Sequence, residues 1–87
     1  MTTTLTTREW VHPRTGEVRR YISSKQVEAL MPDADPRGNG YSKADYARVR
    51  TAKYWLDAAG ALHINDLIER GRVHEADVRA VIMAALG

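Results

Sequence analysis

The stretch Pro13-Arg14-Thr15-Gly16 constrains this chain more than any other, because it stands between two runs rich in β-branched, aromatic and charged residues. Proline presets φ for a turn, and glycine supplies a left-handed residue just before the return strand. The spacing predicts a hairpin with strands around 8–12 and 17–22. A loop of Pro13 to Gly16 would set His12 opposite Glu17, Val11 opposite Val18, Trp10 opposite Arg19, Glu9 opposite Arg20 and Arg8 opposite Tyr21. Side chains alternate along a strand. One face then carries Arg8, Trp10, His12, Glu17, Arg19 and Tyr21, and the other Glu9, Val11, Val18, Arg20 and Ile22. The second face is expected to meet the core.

After the hairpin, Ser23 can cap a short helix with Val27, Leu30 and Met31 on one face, which Pro32 then stops. Residues 32–42 hold two prolines and two glycines and read as a mobile connection. Ser42 can cap a second helix from Lys43, with Tyr46, Val49 and Ala52 at helical spacing. Residues 53–64 admit two readings, an extension of that helix to Gly60 or a second hairpin around Asp57-Ala58-Ala59-Gly60. Periodicity does not decide between them; the hairpin is the preferred reading. A short helix over 65–70, capped by Asn65 and closed by Gly71, is expected next. Last comes an amphipathic helix with Val78, Val81, Ile82 and Ala85 as its stripe and Glu75 four residues before Arg79. The expectation is an α+β fold, a small antiparallel sheet from two hairpins with short helices packed on one face. A flexible N-terminal tail over 1–7 would precede a single small domain over 8–87.

A chain of 87 residues supports one modest core, burying roughly 60–65% of the unfolded surface. Core candidates include Trp10, Val11, Val18, Tyr21, Ile22, Val27, Val49, Trp55, Leu56, Leu62, Ile68, Val78 and Ile82. The absence of cysteine excludes disulfides, thiolate zinc sites and a cysteine nucleophile, and makes a reducing cytoplasm the simplest setting. No basic segment leads into an apolar run at the N-terminus, and no stretch approaches the roughly 18 apolar residues of a membrane span. The formal charge is only +2. Attraction to polyanions therefore depends on whether the arginines cluster.

Most catalytic and metal chemistries fail on the residues. Asp33, Asp35, Gly38 and Asn39 open like a calcium-binding loop, but Arg37 stands where an oxygen ligand is needed and Ala44 where the bidentate carboxylate belongs. His12, His63 and His74 share no ligand spacing. Nucleophile-elbow, metalloprotease and phosphate-loop motifs are lacking, so no enzyme and no cofactor are expected. A helix-turn-helix over 64–82 would present Glu75 and Asp77 to DNA phosphates, whereas capping explains those acids directly.

The first hairpin face remains. Arg8, Trp10, Arg19 and Tyr21 interleave cations with aromatics, the combination that stacks bases and tracks phosphates in single-strand binders. Arg14 at the turn would extend it, and Arg48, Arg50 and Lys53 could join if the second helix lay alongside. The competing arrangement is a Trp10 buried under a helix with Arg19 stacked on its ring, and burial is the commoner state of tryptophan.

WVHPRTGEVRRYI and AKYWLDAAGALHI resemble segments of small proteins encoded by tailed bacteriophages, which often open with a Trp…Pro-x-Thr-Gly-Glu-x-Arg-x-Tyr hairpin. The resemblance covers about a third of the chain and carries over no functional residues. It implies a compact accessory protein that acts by binding, on nucleic acid or on a host protein that it inhibits or redirects. The expected function is a non-enzymatic binding module, associated with nucleic acid through its basic-aromatic hairpin. A host protein is the alternative partner, and self-association is a third reading.

Overall fold

The computed structural model describes residues 5–32 and 40–86. The calcium-like loop residues Asp33 to Asn39, which make up most of the expected mobile connection over 32–42, lie outside the described residues, as do residues 1–4 and 87. Two hairpins form, as expected: β1 (Thr7–Val11) with β2 (Val18–Ile22), and β3 (Lys53–Leu56) with β4 (Leu62–Asn65). They join into one antiparallel sheet in the order β1-β2-β3-β4. Three helices complete the fold, α1 (Ser24–Leu30), α2 (Lys43–Thr51) and α3 (Glu75–Leu86). The architecture is α+β.

Both hairpins are closed by the same local device. His12 N–H donates to the Glu17 carbonyl at 2.8 Å, and Gly16 adopts φ +73° to bring the chain back. The side chain before the loop then satisfies the loop amides: His12 Nδ1 accepts from the N–H of Arg14 (3.1 Å) and Thr15 (3.2 Å). In the second hairpin Asp57 Oδ1 accepts from the N–H of Ala59 and Ala61, both at 2.9 Å, and Gly60 turns at φ +87°. Turn chemistry thus sets the register, which in β1–β2 pairs Arg8 with Tyr21, Glu9 with Arg20, Trp10 with Arg19 and Val11 with Val18.

Register decides what the sheet buries. Ile22 on β2 pairs with Tyr54 on β3, and Tyr54 with Ile64 on β4. Ile22, Tyr54, Leu56 and Leu62 join Val27 of α1, Val49 of α2 and Val78 and Ile82 of α3 in one core. All three helices therefore pack on the same face of the sheet. Leu5, placed by sequence in the tail, is buried in this core, and Gln26 holds the adjacent Thr6 by its backbone N–H at 2.9 Å. Val73 fills the core from the loop before α3.

Buried Tyr54 links sheet to helix through its hydroxyl, which donates to the Val49 carbonyl at 2.7 Å. Burial pushes its ionisation far above the usual tyrosine range, so the hydroxyl remains a donor. That carbonyl belongs to the last turn of α2, where acceptors lack a helical partner. Tyr54→Phe is expected to cost about 1–2 kcal/mol by leaving the acceptor unsatisfied, read as a lower urea midpoint at unchanged slope.

Several expectations are corrected by the structure. Residues 65–70 form no helix: β4 runs through Asn65, whose Oδ1 accepts from the Trp55 indole at 2.7 Å instead of capping, and Asp66 turns the chain at φ +61°. The helix-turn-helix loses its first helix with it. Val11, expected in the core, is 51% exposed, and Val18 and Arg20 share its overhanging position. The helices stop short of the hairpin tip, so only Ile22 of that face reaches the core. Ile68 and Trp10 are likewise exposed.

Candidate nucleic-acid interface

The face of the sheet opposite the helices carries one aromatic ring from each strand. Trp10 of β1 lies 6.3 Å from Tyr21 of β2, Tyr21 lies 6.5 Å from Trp55 of β3, and Trp55 lies 4.0 Å from His63 of β4. Alternation produces this row. Trp10 is diagonal to Tyr21 across the hairpin, Tyr21 pairs with Trp55, and Trp55 pairs with His63. Among the described residues no helix covers it, and Trp10 is 40% exposed.

The rings differ in what they offer a ligand. His63 stacks on Trp55 with planes 9° apart, and the Arg19 guanidinium sits 4.1 Å from the centre of the same ring. They approach from strands on opposite sides, so both faces of Trp55 are occupied and its edge is what remains open. Arg19 thus stacks on Trp55, not on Trp10 as the hairpin alone suggested. Trp10 meets His12 at 5.4 Å and Tyr21 at 6.3 Å in T-shaped pairs, and among the described residues no ring stacks parallel on it and no cation sits over it. It is the ring best placed to accept a base on its face.

Charge is distributed along this row with both signs. Arg19 Nε donates to Glu17 Oε1 at 3.1 Å, and that bond raises the arginine's already high pKa. Asp57 Oδ2 meets His63 Nε2 at 2.8 Å. The histidine contact, with the loop N–H of Ala61 and Ala59, holds the Asp57 carboxyl below the ordinary aspartate range. These two acids are already engaged, and of the cations on this face Arg8, Arg14 and Lys53 take part in no ion pair among the described residues.

Of the residues singled out by sequence, Arg8, Trp10, Arg19, Tyr21 and Lys53 come together on this face, with Arg14 at the hairpin tip. Lys53 arrives through β3, not through α2. Arg48 and Arg50 do not join them. α2 packs on the reverse of the sheet, where Arg48 bonds Asp45 at 2.6 Å and Arg50 meets Glu28 of α1 at 3.6 Å. Trp55 and His63 belong to the row although sequence reasoning did not place them there. The signal was available, since the second hairpin sets them opposite each other and sequential strands usually pair.

The described residues contain no helix long and apolar enough to cross a membrane and no cluster of three metal-ligating side chains. No family model matches this chain, and neither the curated proteins nor the solved structures yield a match.

Proposed function

We propose that the chain is a non-enzymatic module that binds single-stranded nucleic acid on the open face of its sheet. One observation carries the reading: an aromatic row crosses all four strands on the helix-free side, bordered by cations. A four-stranded sheet with stacking rings is a general solution for splayed bases, because every base has a π-face while a duplex hides its own. Trp10 and Tyr21 take bases, and Arg8, Arg14 and Lys53 take phosphates.

The counting sets a magnitude. Three phosphate contacts at about 0.7 each give a slope near two in log affinity against log salt for a single strand. Fluorescence anisotropy with a labelled oligouridylate or oligothymidylate between roughly 50 and 200 mM salt measures it, with a duplex as the weaker comparator. No binding at the lowest salt overturns the reading. A protein partner is the second reading, that of a phage-type accessory protein acting on a host protein. Exposed tryptophan, tyrosine and arginine are common interface anchors, and the acids among them suit a polypeptide. Capture of a protein that persists after nuclease treatment, together with failure to bind any oligonucleotide, favours it.

A further inference from the structure

Beside Trp55 the open face dips into a recess of about 370 Å³ lined by Arg19, Tyr21, Lys53, Trp55, Asn65 and Asp66. Two of these residues have their hydrogen-bonding character fixed by the fold. Asn65 Oδ1 accepts the Trp55 indole N–H at 2.7 Å, so the amide meets the ring with its acceptor and leaves the Nδ2 donors for other partners. Asp66 follows in the left-handed conformation, φ +61°, and no ion pair engages its carboxylate among the described residues. Aspartate is among the few non-glycine residues that adopt this conformation readily. The rim therefore presents a donor next to a pair of acceptors.

From this we infer a guanine subsite, in which Asp66 accepts N1–H and N2–H of the base and Asn65 Nδ2 donates to O6. Guanine alone among the common bases sets two N–H donors beside one acceptor on its Watson–Crick edge; adenine, cytosine and uracil each offer a single donor there. Tyr21 and the open edge of Trp55 contact the base, and Lys53 is placed for its phosphate. The subsite rests on the single-strand reading of this face and adds a preference to it.

The experiment compares nonauridylate with the same oligomer carrying one central guanosine, inosine, adenosine or cytidine, by competition anisotropy. A preference for guanosine of about tenfold is expected, the low end for a two-bond base contact because Asp66 is exposed. Inosine, which lacks N2–H, falls between guanosine and uridine. In Asp66→Asn, a change that the left-handed backbone accepts, the guanosine preference disappears while nonauridylate binds as well or better, one negative charge having gone. Equal affinity for all five oligomers, or a guanosine preference that survives Asp66→Asn, overturns the subsite and leaves the platform standing. Binding of none overturns both.

Discussion

Replacing Trp10 with alanine is expected to lower affinity for a single-stranded oligonucleotide by roughly 5- to 150-fold, the span of about 1–3 kcal/mol for one base stacked on an aromatic ring. The fold is expected to survive the change. Every residue of β1 is exposed, and the aromatic pairs of Trp10 are T-shaped, worth about 0.5–1.5 kcal/mol each. Binding and stability are therefore separable at this position, as they are not at Trp55. There alanine would remove the His63 stack, the Arg19 contact and the bond to Asn65 together. Titration of Trp10→Ala beside a urea melt checks both halves. An unchanged affinity removes the platform reading, whatever Trp55 variants do.

Local chemistry made the hairpins legible and distance in sequence hid the rest. Pro13 and Gly16 specify a loop, the loop specifies a register, and register assigns each side chain to a face; every step involves residues within a few positions of one another. The pairing of β2 with β3 spans more than thirty residues, and without it Trp55 and His63 look like strand filling in an unrelated hairpin. The exposure of Val11 is less readable still. Its face is set by alternation, but its burial depends on how far three helices extend across the sheet. Residues 65–70 fail differently, since Asn65 suits a helix cap and a strand end equally until the Trp55 indole claims its side-chain oxygen.

Asp45 shows the same limit in the core and leads to the largest expected change in stability. Ser42 was readable as a cap, and Ser-x-x-Asp is the spacing of a capping box; what local sequence does not show is that the box also meets the turn at Gly71. The Ser42 N–H donates to Asp45 Oδ2 at 2.9 Å, the Asp45 N–H donates to Ser42 Oγ at 3.1 Å, and Arg48 Nη1 meets Asp45 Oδ1 at 2.6 Å. Asp45 is only 4% exposed. Across from it, Gly71 turns at φ +66° so closely that a Cβ there would stand 2.5 Å from Asp45 Oδ1. Arg48 continues to the Arg70 carbonyl at 3.2 Å, so one carboxylate ties the start of α2 to the turn before α3.

Asp45→Ala is expected to cost about 2–4 kcal/mol at neutral pH, because buried donors lose their acceptor and Arg48 its partner. Gly71→Ala costs about 1–3 kcal/mol from its backbone conformation and the displaced carboxylate. In the double variant the carboxylate is already gone, so the two losses sum to less than their separate values. Hydrogen bonding, foremost from the Ser42 N–H, holds the Asp45 carboxyl below the ordinary aspartate pKa. Its contribution is thus complete above about pH 4 and is lost as pH falls through the lower, folded-state value. Urea melts across that acid range should show wild-type protein converging on Asp45→Ala. Parallel pH profiles, or strict additivity with Gly71→Ala, would show that this carboxylate does not join the two elements.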